Sequence, residues 1–490
     1  MSDELFEGGA TMIDREQIAR DLKSIIDEDR VVTDEQILRE FSVDRYRKYQ
    51  WIHGVYTRPA PAAVAFVRST DEASRVLRYL NDSGINCVAR TGASATEGGL
   101  ETIVPDSVVL DGSGMDKILK FDPYNMQVTA QCGVCLETLE NFLRERGYTT
   151  GHSPQSKPLA QMGGLVATRS IGQLSTLYGG IEDMVAGLEA VLPGGEVVRI
   201  KNVPRRAAGP DIRHLIIGSE GALCFITEVT VKIFKYTPEN YVFMGYLIDD
   251  MRDGISVLRD VMVNGYKPPV ARLYDLQDAE MNFSHFQTGK CVLIFITDGP
   301  KEISEVSARA VDGYARARGA EPVDPKLIER WFGNLLWGPD KIQGEIEEIR
   351  QTNNMGFTTE ISADWENIVK IYDACVRRVP EEIPDITLFG GHSSHSYING
   401  TNLYFVYYYN VECGVTEEVA KYHDPINEII VEEALRYGGS MVHHHGIGKA
   451  RAMFTKREHG SAYVLLEGLK KQFDPNGIMN AGAIFHSELY

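Results

Sequence analysis

The chain has 490 residues with a hydrophobic content of 43% and a charged content of 24%, values typical of a globular protein of two or three domains. Its formal net charge of −19 argues against broad binding to nucleic acid or to anionic membranes. The sequence contains no long apolar run, and its acidic start resembles no signal peptide. We therefore expect a cytoplasmic protein without a transmembrane anchor.

The first domain is predicted to open with a β-α-β unit. Within an N-terminal helical segment, residues 1–54, apolar residues recur at helical spacing over 14–50 and predict two amphipathic helices. A strand over 62–67 follows, and Ser69 with Glu72 forms a capping-box pattern for a helix that ends before Gly84. Residues 85–90 then predict the second strand.

This second strand leads into a loop of small and hydroxyl-bearing residues. Successive backbone amides in such a loop can form a nest for an anion such as a diphosphate, although similar clusters are also ordinary turns. The loop matches neither G-x-G-x-x-G nor a P-loop. Its residues are Arg90, Thr91, Gly92, Ala93, Ser94, Ala95, Thr96, Glu97, Gly98 and Gly99.

A second stretch, residues 161–185, is the richest in small residues. Small residues let a backbone lie close against a large flat ligand, whereas the alternative interpretation is a plain surface loop. A strand pattern with a turn at Gly194–Gly195 follows over 185–200, which favours the ligand-binding interpretation.

The second half of the chain is predicted to form another domain. An alternating strand over 225–234 precedes a boundary near 235–238. Strand-like and helical runs then alternate as far as about residue 440.

Three adjacent histidines, His443, His444 and His445, stand near the end of the chain. On an extended strand neighbouring side chains point to opposite faces, so all three could bind one ion only if the backbone were bent. We interpret one or two of them as groups that transfer a proton or stabilise negative charge in a pocket.

Four ordered motifs resemble the vanillyl-alcohol-oxidase/p-cresol-methylhydroxylase flavoprotein superfamily over residues 55–490. They are the loop Arg90–Gly99, the G-G-x-x-A/S-T segment Gly163–Gly172, the G-S-E-G sequence Gly218–Gly221 and the D-P-x-x-x-x-N sequence Asp474–Asn480. The loop departs from the usual glycines of the family at Thr91 and Ala93.

The resemblance implies an α+β fold and FAD as cofactor. Residues 55–236 would form a PCMH-type FAD-binding domain of two α+β subdomains. Residues 237–440 would form a cap domain for the substrate, with an antiparallel sheet flanked by helices, and residues 441–490 would return to the flavin. The cofactor-binding residues that the resemblance implies are Arg90, Thr91, Gly92, Ala93, Ser94, Ala95, Thr96, Pro154, Gly163, Gly164, Ala167, Thr168, Ser170, Gly172, Ser175, Tyr178, Ile181, Glu220, Gly221, Ile226 and Asn480.

We expect the FAD to be held non-covalently. Some relatives attach FAD through a histidine in the diphosphate loop, where this chain has Ala93-Ser94-Ala95. Others use the cysteine of a G-x-C-P sequence, and the corresponding run here is Gly151-His152-Ser153-Pro154. A serine cannot form that thioether.

Two branches of the superfamily compete as relatives. The 2-hydroxy-acid dehydrogenase branch holds a metal with H-x-G-D-G-N-L-H and E-H-G-I-G, where this chain has Tyr397, Tyr404 and His444 in place of three ligands. We therefore expect no catalytic metal. The two tyrosines and the histidine run instead look like alkyldihydroxyacetonephosphate synthase, as does R-L-x-D at Arg272–Asp275.

These comparisons lead to an expected function with two alternatives. The leading hypothesis is an FAD-dependent oxidoreductase whose flavin N5 accepts hydride from a hydroxyl- or amine-bearing carbon of a small polar, anionic substrate. Tyr404 or a histidine of the run would take the proton, and Arg272 would hold the anionic group. Tyr397 and Arg205 complete the candidate catalytic residues.

The first alternative is the redox-neutral synthase reaction, in which a flavin N5 adduct exchanges an acyl for an alkoxy group. The second is a non-catalytic flavin-binding subunit. The electron acceptor stays open, and a homodimer is compatible with the sequence.

Overall fold

The computed structural model describes residues 14–490. Residues 1–13 of the predicted N-terminal segment lie outside that range. The remainder forms three short helices instead of the two predicted, because the Asp34 side chain accepts a hydrogen bond from the Ile37 amide and so starts a new helix. The elements are α1 (Arg15–Ile25), β1 (Val31–Val32), α2 (Glu35–Glu40) and α3 (Lys48–Ile52).

The first subdomain contains the predicted β-α-β unit. Its helix is capped by Ser69, whose hydroxyl accepts the Glu72 amide at 3.2 Å, and it ends at Gly84, which has a left-handed φ of 65°. The sheet order is β1-β2-β4-β3, and its last three strands are parallel. The new elements are β2 (Ala63–Phe66), α4 (Thr70–Ser83), β3 (Cys87–Arg90) and β4 (Val108–Asp111).

The second subdomain is a five-stranded antiparallel sheet of order β5-β6-β10-β8-β9. Its core joins this sheet to the helix that follows β6 and to the small-residue stretch. The elements are β5 (Ile118–Asp122), β6 (Gln127–Gln131), α5 (Leu136–Arg144), β7 (Tyr148–Thr149), α6 (Met162–Ala167), α7 (Ser175–Tyr178), α8 (Ile181–Met184), β8 (Val185–Val191), β9 (Val197–Ile200), β10 (Phe225–Lys232) and β11 (Phe234–Lys235).

Residues 242–436 form a seven-stranded antiparallel sheet of order β15-β12-β14-β13-β17-β18-β16, flanked by helices. The elements are β12 (Val242–Ile248), α9 (Met251–Val263), β13 (Val270–Tyr274), α10 (Leu276–Phe283), β14 (Cys291–Thr297), α11 (Lys301–Ala317), β15 (Glu321–Pro322), α12 (Pro325–Gly333), α13 (Pro339–Thr352), β16 (Asn354–Asp364), α14 (Ile368–Glu382), β17 (Ile386–Ser393), β18 (Gly400–Asn410) and α15 (Asp424–Arg436). We call this part the cap.

One face of the cap sheet packs against α9, α11, α14 and α15 and builds the largest core of the described residues. The other face carries Val270 and Ile294, which pack with Leu174 of the second subdomain. The cap is thus an α+β layer that lies against the first half of the chain, and the predicted α+β class is confirmed.

The C-terminal segment returns to the first subdomain. After α16 (Thr455–His459) and α17 (Tyr463–Phe473), Met479 forms a parallel bridge with Cys87 of β3. The Cys87 amide donates to Ile478 O at 2.7 Å, and the Asn480 amide donates to Cys87 O at 2.8 Å. The chain end therefore lies beside the strand that leads into the predicted diphosphate loop.

Residues 44–48 tie the first subdomain to the cap. The Asp44 carboxylate accepts the amides of Gly98 and Leu100, and Arg47 forms a 2.9 Å ion pair with Glu101. On the cap side, Lys48 forms a 2.6 Å ion pair with Glu345. This segment therefore holds the first subdomain and the cap together through ion pairs and hydrogen bonds on both sides.

We predict that Glu101→Gln destabilises the fold by about 3–5 kcal/mol, because it leaves buried arginine charge uncompensated. Glu101 is fully buried and pairs with both Arg47 and Arg58. The measurement is the free energy of unfolding in urea at a fixed FAD concentration. The control is Glu366→Gln, since Glu366 is 81% exposed and its pair with Lys370 should contribute at most about 0.5 kcal/mol. Equal effects of the two variants would contradict this account of the segment.

Candidate active site

A cavity of about 530 Å³ lies where the two subdomains, the cap and the returning C-terminal segment meet. It is lined by the predicted diphosphate loop, by the small-residue stretch, and by strands β13, β17 and β18 of the cap. The N-terminal segment adds Arg45 and Lys48 to its wall. The cavity therefore gathers residues from every part of the chain that the structure describes.

The loop after β3 lies directly against the backbone of residues 159–161. A Cβ atom on Gly92 would lie 2.8 Å from the Gln161 amide nitrogen and would also collide with Leu159 O. Ala93 adopts φ of 50°, the left-handed conformation that glycine favours. Ala93 thus keeps a left-handed conformation at a position where the resemblance implies glycine. Arg90, Thr91, Gly92, Ala93, Ser94, Ala95 and Thr96 all line the cavity.

Arg90 places incompletely paired positive charge at this loop. Its guanidinium stacks on the Phe41 ring at 4.2 Å and lies 3.7 Å from Asp111. Its Nη1 is buried and has no hydrogen-bond partner among the described residues. A buried donor beside a run of small residues fits the diphosphate of FAD, which would satisfy it.

Most of the predicted cofactor-binding residues of the second subdomain also reach the cavity. Gly163 packs so closely on Cys132 that a Cβ atom would lie 2.7 Å from the cysteine Cβ. The small-residue stretch therefore sits tightly against β6, and its other side faces the cavity. The lining residues are Pro154, Gly163, Gly164, Ala167, Thr168, Ser170, Glu220, Gly221 and Ile226.

Five predicted cofactor-binding residues do not line the cavity. Gly172 abuts the backbone of Ser153, and Ile181 is buried in the subdomain core. Tyr178 donates to the Asp298 carboxylate of the cap at 2.6 Å. The remaining two, Ser175 and Asn480, support residues that do line it.

Asn480 supports the diphosphate loop from behind. Its side-chain amide donates to Gly99 O at 3.0 Å and to Glu220 O at 2.8 Å, and the buried Lys449 donates to its Oδ1 at 2.6 Å. Burial lowers the pKa of Lys449 to about 8. The Glu220 carboxylate in turn accepts the amides of Ile447 and Gly448. Glu220 of the G-S-E-G motif and Asn480 of the D-P-x-x-x-x-N motif thus connect the loop to the segment that follows the histidine run.

The histidine run is bent around the carboxylate of Glu360, a fully buried residue of β16. The amides of His443, His444 and His445 all donate to that carboxylate, the last at 2.7 Å. An extended strand could not aim three successive amides at one group. The run is therefore a nest for a protein carboxylate, which sequence analysis did not foresee.

The three histidines have different surroundings. His444 and His445 line the cavity, whereas His443 bonds the Tyr397 hydroxyl through Nε2 at 2.7 Å and lies outside it. His445 Nδ1 lies 3.3 Å from Glu97 Oε1. Burial lowers the pKa of His443 to about 3 and that of His444 well below its usual value, so both imidazoles are neutral near pH 7.

Glu360, His443 and His444 offer ligand atoms that lie within 4.8 Å of one another, an arrangement that could approach a metal ion. The Glu360 oxygens, however, already accept three backbone amides. These bonds use three of the roughly four lone pairs of the carboxylate, which leaves little capacity for a cation. The absence of a catalytic metal stays a prediction.

Arg272, on β13, reaches the cavity and is only 3% exposed. Its guanidinium donates to Gln173 Oε1 at 2.9 Å and to His392 Nε2 at 3.0 Å, which are uncharged acceptors. His392 Nδ1 lies 2.6 Å from Asp278 Oδ2, so this ring donates to Asp278 and accepts from Arg272. Burial lowers the pKa of His392 despite the raising effect of Asp278. The arginine charge thus faces the cavity beside a neutral ring.

Among the remaining predicted catalytic residues, Tyr404 lines the cavity and stacks on His392 at 4.8 Å. Burial raises the pKa of Tyr404 to about 12, so its hydroxyl keeps its proton at neutral pH. Tyr397 is 37% exposed and touches the site only through His443. Arg205 lies on an exposed loop at a separate pocket of about 100 Å³, because residues 201–211 turn away from the cavity. The structure does not bring Arg205 to the site.

Sequence analysis missed several residues that line the cavity. A His-Ser-Ser-His sequence after a glycine pair places His392 and His395 at the end of β17, and this repeat was the available signal. Gln173 lies within the small-residue stretch 161–185 but was not singled out there, and Asp278 belongs to no motif that would have revealed it. Glu97 lies within the diphosphate loop itself.

Comparison with known proteins agrees with this architecture. A family model described as "FAD binding domain" matches residues 61–201, and one described as "FAD linked oxidases, C-terminal domain" matches residues 237–484. The chain is 63% identical over 481 residues to the uncharacterized FAD-linked oxidoreductase YgcU of Escherichia coli (strain K12), covering 97% of this chain and 99% of the relative. The protein therefore belongs to the FAD-linked oxidoreductase family and is an FAD-dependent enzyme.

Two further matches place this family in the expected superfamily. Alkyldihydroxyacetonephosphate synthase of Caenorhabditis elegans is 27% identical, over 85% of this chain and 75% of the relative. The solved structure of p-cresol methylhydroxylase with substrate bound shares the fold, with a TM-score of 0.76, 18% identity and 98% coverage of both chains. The resemblance to the vanillyl-alcohol-oxidase/p-cresol-methylhydroxylase superfamily is confirmed. Within residues 14–490, no helix combines the length and apolar composition required to cross a bilayer.

We predict that Gly92→Ala loses bound FAD, because the added methyl group has to displace the backbone at Leu159 and Gln161. The measurement is the ratio of flavin absorbance to protein in the purified variant, with the melting temperature as a check of folding. Gly313→Ala is the control, since Gly313 lies in α11 with no atom within 4 Å of the added Cβ. A Gly92→Ala variant with full FAD content would contradict this use of the loop.

A second prediction concerns acid stability and His152, which is 1% exposed and whose pKa burial lowers to about 3. The unfolded imidazole takes up a proton near pH 6.5, whereas the folded one resists protonation until about pH 3. Its contribution is therefore complete above pH 6.5 and is lost as the pH falls towards 3, by about 1.4 kcal/mol per pH unit.

His152→Gln should flatten the fall in unfolding free energy between pH 6.5 and 5 by about 2 kcal/mol relative to the unmodified protein. The measurement is urea unfolding at several pH values and a fixed FAD concentration. The control is His214→Gln, since His214 is exposed. If the slopes of His152→Gln and the unmodified protein agree, His152 is not the acid-sensitive group.

Proposed function

We propose that the protein oxidises a hydroxyl- or amine-bearing carbon of a small-molecule anion. Bound FAD would supply the two-electron acceptor at flavin N5. The protein residues bind the anion, orient the reacting carbon and remove the proton. The observation that carries the proposal is the buried Arg272, whose charge faces the cavity while its hydrogen bonds go to uncharged acceptors.

An anionic substrate would supply the negative charge and the further hydrogen-bond acceptor that Arg272 does not find among the residues that the structure describes. Its Nε is buried without a hydrogen-bond partner among residues 14–490. A carboxylate or phosphate accepts two parallel bonds from a guanidinium, which fixes its orientation as well as its position. His392 holds the guanidinium in place, because Asp278 fixes the ring tautomer that accepts from it.

His445 is the base that the geometry favours. Its Nδ1 is buried and makes no hydrogen bond among the described residues, but it lies 3.3 Å from Glu97 Oε1. The negative charge of Glu97 favours a proton on Nδ1, which would leave the lone pair of Nε2 available to a substrate. Burial alone would raise the pKa of Glu97, but Arg451 and His445 outweigh it and bring that pKa to about 2. A carboxylate that stays ionised can orient the ring throughout the reaction. Tyr404 keeps its proton and therefore serves as a donor to the substrate oxygen.

A second reaction has support from the relatives. The motifs at Tyr404 and at the histidine run resemble alkyldihydroxyacetonephosphate synthase, and the Caenorhabditis elegans enzyme is 27% identical to this chain. An exchange of an acyl for an alkoxy group would need the same anion contact at Arg272. It differs in one observable, since it leaves the flavin oxidised at the end of each turnover.

We also propose that the FAD is held without a covalent bond, because Ala93, Ser94 and Ala95 line the cavity where relatives carry a histidine. Acid precipitation should release the yellow chromophore into the supernatant. Acid precipitation of protein that was first unfolded in guanidinium chloride serves as a control for flavin trapped in the pellet. Colour that remains with washed, unfolded protein would contradict the proposal.

We predict that Arg272→Lys weakens substrate binding by about 2–5 kcal/mol, or at least 30-fold, while FAD content is unchanged. Lysine keeps the charge but cannot make two parallel bonds. The measurement is anaerobic flavin reduction by the substrate identified in a screen, with affinity separated from the limiting rate. Arg259→Lys, on the exposed side of α9, is the control. An unchanged substrate affinity would contradict the role of Arg272.

His445→Gln should lower the limiting rate of flavin reduction by about 10²- to 10⁴-fold, because it removes the proton acceptor. His443→Gln is the matched control, since His443 is the neighbour that does not line the cavity. Equal rates for both variants would remove His445 from the mechanism. A substrate that is converted without net flavin reduction would favour the exchange reaction.

A further inference from the structure

The cavity extends beyond Arg272 along a wall of large apolar side chains. The wall is contributed by the cap alone and comes from β13, α10, α12 and the connection between α12 and α13. Tyr274 is the variable position of the R-L-x-D sequence, and the other wall residues belong to no motif discussed above. They are Tyr274, Met281, Trp331, Leu335 and Trp337, and we call them the aromatic wall.

The aromatic wall begins directly at the anion-binding arginine. The Arg272 guanidinium carbon lies 5.2 Å from the centre of the Tyr274 ring and 5.5 Å from that of the Trp331 ring. The two rings are perpendicular, with centres 6.4 Å apart. A group bonded to Arg272 is therefore within contact distance of aromatic surface.

The wall ends at the protein surface. Trp337 is 37% exposed and Met281 is 41% exposed, although both line the cavity. The Trp337 amide donates to Gln155 O of the second subdomain at 2.8 Å, which ties this connection to that subdomain. Large apolar side chains kept at the rim of a cavity are typical of a ligand-binding surface.

We infer that the substrate is an anion that carries an apolar ring or chain next to its charged group, and that this apolar part packs on the aromatic wall. The inference rests on the proposed function for the role of Arg272, and it refines the small polar substrate expected from the sequence. A substrate without such a group would leave the wall in water. The wall is thus a determinant of substrate choice.

Unreactive carboxylates test this without turnover. The probes are acetate, hexanoate and phenylacetate, titrated into the FAD-loaded enzyme by isothermal titration calorimetry. Hexanoate or phenylacetate should bind at least about tenfold more tightly than acetate, because apolar area is removed from water. Trp337→Ala should reduce that preference to threefold or less, and Leu335→Ser is the second variant should Trp337→Ala fail to fold.

The chain provides a matched control. Trp365 does not line the cavity, and its indole nitrogen donates to Ile398 O at 3.0 Å, so Trp365→Ala should keep the full preference. Equal affinity for acetate and phenylacetate would overturn the inference and leave the role of Arg272 intact. A preference that survives both wall variants would also overturn it. If no carboxylate binds at all, the inference and the anion site at Arg272 both fail.

Discussion

The site depends on one buried cluster of charges, in which Arg451 lies between Glu97 and Glu360. Arg451 is 1% exposed, and its guanidinium lies 3.1 Å from Glu97 and 3.8 Å from Glu360. Because an unpaired buried charge is very unfavourable, the three residues have to stay together in the folded protein. They belong to the diphosphate loop, to the cap strand β16 and to the returning C-terminal segment. The cluster therefore fixes the three parts of the chain around one cavity.

The orientation of the histidines in the site follows from the hydrogen bonds that the Glu360 carboxylate accepts. By accepting three successive amides, it bends the histidine run, so that His444 and His445 face the cavity while His443 turns towards Tyr397. The same contacts use most of the acceptor capacity of Glu360. The bend also brings His445 to the cavity, as the proposed proton transfer requires. Strand β13 adds the positive charge of Arg272 to the same cavity.

Local signals were sufficient for part of the fold and of the site. The Ser69 cap, the left-handed Gly84 and the loop after β3 are each encoded within a few residues, and the structure contains all of them. Position within a motif did not always predict contact with the cavity. Tyr178, for example, donates to Asp298 of the cap and does not line the cavity. His392 and Trp331 could not be placed from the sequence, because only the packing of the cap against the first half of the chain brings them to the site.

The central claim is that the cavity holds FAD with its diphosphate on the loop after β3 and an anion at Arg272. The most direct measurement is a crystal structure of the FAD-loaded enzyme with phenylacetate. The account predicts diphosphate oxygens within hydrogen-bond distance of the amides of residues 91–97, and a carboxylate held by Nε and one outer nitrogen of Arg272. A diphosphate bound elsewhere, or a carboxylate placed away from Arg272, would contradict it.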